Sequence, residues 1–348
     1  MHLLVIRFSA FGDVAMTVPV IMSVARQYPQ HRFTILSRES MRPLFLQMPS
    51  NVAFYGVNLK DKRYKGILGL IRLYKEVRRQ VSFDVVADLH NVLRSQVLRL
   101  CAKVCGIKTG YINKGKSDKK RLTRARNKVL KPLPSSFERY ADVFVQLGLP
   151  VEINFSSIYS GEEPDLSRIY NSVGIKKAGE FWVGIAPFAA HRGKIYPLDK
   201  MEQVVALLAT EKNMRVFLFG AGDKEKEIMM RWVQQYPNVT LPIGIKMEDE
   251  LILMSQLDVM LSMDSANMHL ASLVGTPVLS IWGATHPFCG FMGYNQPLSN
   301  AIQIDELLCR PCSVFGNKAC LRKDYACLNR ISPESVCQAV KQQLSKGL

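Results

Sequence analysis

The chain has 348 residues, 48% of them hydrophobic and 22% charged, with a formal net charge of +17 and a pI near 9.6. That composition supports a large buried core, and the length favours two domains over one. No apolar run reaches the roughly 18 residues of a membrane helix, and the apolar stretch Leu3 to Ile6 is too short for a signal peptide, so a cytoplasmic globular protein is expected.

The apolar run Leu3 to Ile6 predicts a strand, Ser9 to Asp13 a glycine-bearing turn, and Val14 to Arg26 a helix with apolar residues at helical spacing. A second strand is expected at Phe33 to Leu36, a helix at Ile67 to Gln80, a strand at Phe83 to Leu89 and a helix at Val92 to Cys105. This alternation points to a parallel, doubly wound α/β sheet.

Most of the charge sits in two windows. From Lys60 to Arg79 eight cations face Asp61 and Glu76, and from Ile112 to Lys131 nine cations face Asp118 alone. Such runs are either solvated faces or the footprint of an anionic partner. Both lie in the N-terminal half, which assigns the basic function to one domain. Tyr64 and Tyr74 are the only aromatics in either window, and no nucleic-acid-reading module accompanies them, so no nucleic-acid partner is expected.

The segment Ser160 to Pro164 is small, acidic and aperiodic, as a linker should be. The boundary is set there, giving domains 1–165 and 166–348. Alternation restarts with strands at 181–185 and 216–219 flanking a helix at 200–209, then strands at 259–262 and 278–282, and a final helix at 332–345. Two Rossmann-like domains facing a central cleft are expected, with ligand loops at the carboxyl ends of the strands.

Several segments carry chemistry. Asp13 closes the turn after the first strand; by position alone it is a helix cap or an available carboxylate. Lys194 lies in His191 to Pro197, and Gly220-Ala221-Gly222-Asp223-Lys224-Glu225 follows a strand, a weak motif lacking the third glycine of a dinucleotide fingerprint. Asp264-Ser265-Ala266-Asn267-Met268-His269 precedes Gly275-Thr276-Pro277. A helix starting after Asp264 would aim its free N–H groups and positive dipole end at an anion, or it is a capped core helix with a satisfied histidine. Trp282 to Pro287 adds a further strand and loop.

These segments, with Arg7 to Val14 and Pro19, make the chain resemble glycosyltransferase family 9, the ADP-heptose–lipopolysaccharide heptosyltransferases. The resemblance implies the GT-B fold and a metal-independent, inverting transfer of heptose from ADP-heptose to a Kdo or heptose hydroxyl of the lipopolysaccharide inner core, at the cytoplasmic face of the inner membrane. Asp13 then corresponds to the base, since a sugar hydroxyl is a poor nucleophile until a carboxylate takes its proton. Lys194 corresponds to the cation that meets the departing diphosphate. Donor contacts fall on Ala189, Ala190, Lys194, Asp223, Glu225, Asp264, Ser265, Ala266, Asn267 and His269. Two departures stand out: Tyr196 replaces a tryptophan, and Ala266 a glycine.

Lys60, Lys62, Arg63, Lys119, Lys120 and Arg121 are assigned to an anionic acceptor or inner-leaflet surface. Two other readings remain open: the same fold with another donor or acceptor, and a non-catalytic nucleotide-sugar or nucleic-acid-binding protein. No metal is expected in catalysis. Cys309, Cys312, Cys320 and Cys327 fall within nineteen residues, and structural zinc, free thiols and disulfides are all compatible with their spacing.

Overall fold

Apolar strands and amphipathic helices alternate along the chain to give two parallel sheets, each in its own unit; the structure is a computed structural model that describes residues 1–346. One unit comprises Met1–Lys114 and Pro134–Ile158, the other Gly115–Leu133 and everything from Tyr159 onward.

In the first unit β1 (His2–Ile6) leads through α1 (Phe11–Ala15) and α2 (Val18–Gln27) to β2 (Arg32–Arg38) and β3 (Val52–Val57). Then come α3 (Gly66–Gln80), β4 (Val85–Asp88), α4 (Leu93–Val104) and β5 (Lys108–Tyr111); beyond α5 (Lys116–Thr123), which belongs to the other unit, α6 (Ser136–Gln146) returns to this one. The strand order is β3-β2-β1-β4-β5, all parallel. Leu3 to Ile6 are all buried, because both faces of β1 are covered, which is why that strand reads as a continuous apolar run.

The second unit has the order β11-β10-β9-β6-β7-β8. Its strands are β6 (Phe181–Ala186), β7 (Met214–Leu218), β8 (Val239–Thr240), β9 (Val259–Met263), β10 (Val278–Ile281) and β11 (Ala301–Ile302). Its helices are α5, α7 (Ser167–Val173), α8 (Leu198–Ala209), α9 (Asp223–Gln235), α10 (Met247–Ser255), α11 (Ala266–Leu273), α12 (Ala326–Asn329) and α13 (Pro333–Ser345). Val183, Ile185, Val216, Val259, Leu261 and Ile281 are among the strand residues of its core, packed with Val204, Leu208, Val336 and Val340 from α8 and α13.

Both sheets reverse direction beside their first strand. Chain order runs outward from β1 to β3 and then resumes at β4 on the other side of β1; it runs from β6 to β8 and resumes at β9 on the other side of β6. Such a switch point parts the neighbouring loops and leaves a crevice at the strands' carboxyl ends.

Two features differ from expectation. The single helix expected from Val14 to Arg26 is two, because Pro19 has no N–H to continue the ladder and Thr17 Oγ1 turns back to Val14 O at 2.7 Å. The second basic window groups mostly with the second unit instead of the N-terminal one. Lys128 Nζ donates to Leu308 O and Arg310 O at 3.0 and 2.7 Å, Leu133 N–H donates to Phe288 O at 3.0 Å, and the Lys119 ammonium lies 4.2 Å from the centre of the Phe291 ring.

Candidate active-site groups

At the first switch point, the loops after β1 and β4 hold one another. The buried Asp88, at the end of β4, accepts the N–H groups of His90 and Asn91 through Oδ1 at 3.0 and 2.8 Å and pairs with Arg99 at 3.3 Å. That turn fixes His90, whose Nδ1 accepts the Phe8 N–H at 3.4 Å and whose Nε2 lies 3.5 Å from Ser9 Oγ. Burial, reinforced by the nearby Arg7 and Lys114 charges, pushes the His90 pKa down to about 3, so the ring is neutral at physiological pH.

Asp13 is the third residue of α1, with Ala10 in the capping position. Its Oδ2 accepts the Ala10 N–H at 3.2 Å and pairs with Arg7 Nη2 at 2.8 Å. The carboxylate therefore braces the turn and also remains available: its side chain is 34% exposed, against 7% for Arg7. Arg7 is held from behind by Leu89 O at 2.7 Å and by the Tyr140 ring, 5.7 Å away, while Tyr140 Oη donates to Asp13 O at 3.3 Å. Burial drives the Tyr140 phenol well above its ordinary pKa, so it remains a neutral donor.

At the second switch point, Asp264 follows β9 and Lys194 lies in a short turn after β6. Lys194 Nζ meets Asp264 Oδ2 at 3.0 Å, with the carboxylate side chain 4% exposed and the lysine side chain 16%. Thr285 Oγ1 donates to the same oxygen at 2.8 Å. Three glycines let the surrounding loops close on the lysine. A Cβ at Gly283 would stand 2.5 Å from Gly193 O, and one at Gly316, where φ is +74°, would stand 2.4 Å from Lys194 Cγ.

Helix α11 begins at Ala266, with Ser265 in the capping position making no side-chain hydrogen bond to its first N–H groups. Ser265 is extended, with φ −143°, and Ala266 is not among the residues of positive φ, so the alanine occupies backbone space open to any residue. His269 is buried one turn along.

The remaining donor candidates are more dispersed. Ala189 is half-buried and Ala190 exposed in the loop after β6. Asp223 opens α9 and is exposed, whereas Glu225 Oε2 accepts the Ala221 N–H at 2.8 Å and is partly committed to its own turn. Among the acceptor candidates, Lys60, Lys62 and Arg63 belong to the first unit, and Lys119, Lys120 and Arg121 to the second.

Sequence reading missed Arg310. Its buried guanidinium donates to the carbonyl oxygens of Trp282, Gly283, Ile304 and Thr285 at 2.7 to 3.2 Å, clamping the loop that carries Thr285. An arginine inside a cysteine-rich stretch gives no signal of this. The four cysteines line one small cavity beside Arg310, and all are free thiols. Among the described residues no group of three or more His, Cys, Asp or Glu side chains is arranged to hold a metal ion.

The model of glycosyltransferase family 9 (heptosyltransferase) matches residues 70–320, well over half of the chain. The chain belongs to glycosyltransferase family 9. It is similar to lipopolysaccharide heptosyltransferase 3 of Escherichia coli, at 26% identity over 79% of this chain and 81% of that protein. Its fold is that of E. coli ADP-heptose lps heptosyltransferase II, with a TM-score of 0.72, 19% identity and coverage of 100% of this chain and 99% of the other. E. coli heptosyltransferase WaaC with ADP follows at a TM-score of 0.68, 15% identity and coverage of 99% and 100%.

The chain is thus a glycosyltransferase with the GT-B fold, and membership sets aside the non-catalytic reading. Lys194, Asp223, Asp264 and His269 lie within the matched residues, whereas Asp13 precedes them. Among the described residues no helix is long and apolar enough to cross a membrane.

Proposed function

We propose that this glycosyltransferase moves a heptose from ADP-heptose onto a Kdo or heptose hydroxyl of the lipopolysaccharide inner core, with inversion and without a catalytic metal, at the cytoplasmic face of the inner membrane. One observation carries the chemistry. Each switch point holds an ion pair, and the two are opposite in which member meets solvent: the carboxylate Asp13 in the first unit, the ammonium Lys194 in the second.

Asp13 takes the acceptor hydroxyl proton as that oxygen attacks the anomeric carbon. The bond from that carbon to the diphosphate oxygen breaks on the opposite face, and its electron pair leaves with ADP. Lys194 and the N–H groups at the start of α11, which the Ser265 side chain leaves uncapped, offset the charge that builds on the diphosphate. Asp264 and Thr285 hold the lysine in place, and His269, Asn267, Ser265 and Ala266 line the same helix start. Asp223, Glu225, Ala189 and Ala190 supply the remaining donor contacts, and the cations named above meet acceptor phosphates and carboxylates.

The relatives named as lipopolysaccharide heptosyltransferases and the ADP-bound WaaC support this choice of donor and acceptor. The test is a panel of nucleotide sugars offered to the purified enzyme with a defined lipid A-core acceptor, with and without chelator. Turnover restricted to ADP-heptose and unchanged by chelator is expected. Preference for another nucleotide sugar would redirect the reading to a same-fold transferase, and loss of activity with chelator would overturn metal independence.

A further inference from the structure

Helices α3 and α4 pack side by side, and their inner residues Leu73, Val77, Leu98 and Ala102 join one core. Their outer faces are unlike those of ordinary surface helices. On α4 the residues opposite the core are Leu93, Val97, Leu100 and Val104, an all-aliphatic row at helical spacing; Val97 is half-buried, the other three are exposed, and Val104 is 81% exposed. A helix of this kind normally presents polar side chains there. On α3 the corresponding row is Leu68, Arg72, Lys75 and Arg79, with Leu68 82% exposed and the three cations exposed.

The cations are barely offset. Lys60, Lys62 and Lys65 stand exposed in the loop before α3, and Arg94 and Lys103 on α4. The two acids of this region are already engaged: Asp61 pairs with Arg63 at 2.9 Å, and Glu76 accepts Tyr64 Oη at 2.6 Å.

We propose that the outer face of α3 and α4 is a docking surface for an anionic lipid bilayer. Aliphatic side chains that enter the boundary between headgroups and acyl chains, flanked by cations that meet anionic headgroups, are what such a surface requires. A second copy of this chain fits less well, since a two-fold contact would set the α3 cations against their own images. Nucleic acid fits less well too, because an aliphatic row offers a phosphate backbone nothing. Docked this way, the enzyme sits beside the membrane-borne acceptor proposed above, and to that extent the surface rests on that reading.

The experiment is cosedimentation of the full chain with phosphatidylcholine vesicles, with and without phosphatidylglycerol, in the absence of donor and acceptor. Binding to the phosphatidylglycerol vesicles is expected, falling with salt. Arg72→Glu with Lys75→Glu should weaken it at least tenfold, since each cation near an anionic surface is worth roughly fivefold. Leu100→Ser with Val104→Ser, both at exposed positions, should also weaken it severalfold and leave a remnant that salt abolishes. Lys224→Glu with Lys226→Glu on α9 makes the same change in net charge and should leave binding within about twofold.

Three results would overturn the surface: no binding to anionic vesicles, equal loss from the α9 control, or α3 and α4 variants that dissociate a dimer while vesicle binding persists. None involves turnover, so a failed donor assay and a failed docking surface are told apart.

Discussion

The two switch points share a topology and differ in the polarity of the ion pair each one holds. In the first unit the guanidinium of Arg7 is buried, bonded to Leu89 O and backed by Tyr140, and the carboxylate of Asp13 faces out. In the second the carboxylate of Asp264 is buried, bonded to Thr285, and the ammonium of Lys194 is the more exposed member. The buried partner in each case fixes where the outer group stands. On the function proposed above, one fold feature, used twice with the charges exchanged, supplies a proton acceptor in one unit and an anion receptor in the other.

Exchanging or deleting the outer members should break that contrast most severely. Asp13→Asn keeps the shape but removes the proton acceptor, and kcat should fall about 100- to 10,000-fold, read in a steady-state transfer assay. Lys194→Met should lower kcat/KM by about 100- to 1,000-fold, the usual cost of one lost donor to a developing anion. Turnover close to that of the unaltered enzyme in either variant removes the role given to that residue.

The inner members should matter less for chemistry and more for the fold. Thr285→Val takes away a buried hydrogen bond to a charged oxygen, which should cost about 1–3 kcal/mol of stability in denaturant unfolding and raise the donor KM a few-fold. An unchanged unfolding midpoint would show that Asp264 is held by other groups.

A pH-dependent effect, not on turnover, concerns the neutral His90 behind Ser9. The unfolded chain takes up a proton near pH 6.5, and the folded ring takes one only near about 3. Stability is therefore lost as pH falls through that interval, by up to about 1.4 kcal/mol per pH unit. His90→Asn should flatten the fall of the melting temperature over that range; an unchanged slope would mean that other groups govern it.

The strands and loops that carry this contrast were legible in the sequence, because the strands are continuous apolar runs and the loops at their ends carry glycine and charge. Asp13, Lys194 and Asp264 were visible as residues. Their pairing was not: Asp264 and Lys194 are 70 positions apart and meet because β6 and β9 are neighbours in the sheet. Arg7 reads only as part of a motif, and its burial against Tyr140 depends on α6, more than a hundred residues later. Gly316 reads as an ordinary loop glycine until Lys194 lies against it.

The second basic window was misassigned for a related reason. Position along the chain places 115–133 with the N-terminal strands, but Lys128 is held by carbonyl oxygens near residue 310. The aliphatic row on α4 was hidden because helical periodicity marks two apolar faces equally and does not say which is covered.

The most direct measurement is calorimetric titration of ADP into the unaltered enzyme, Asp13→Asn and Lys194→Met. If the outer carboxylate serves the acceptor and the outer ammonium serves the diphosphate, Asp13→Asn binds ADP within about twofold of the unaltered enzyme, while Lys194→Met binds at least tenfold more weakly. Equal weakening in both variants, or weakening confined to Asp13→Asn, would contradict the division of labour between the two switch points.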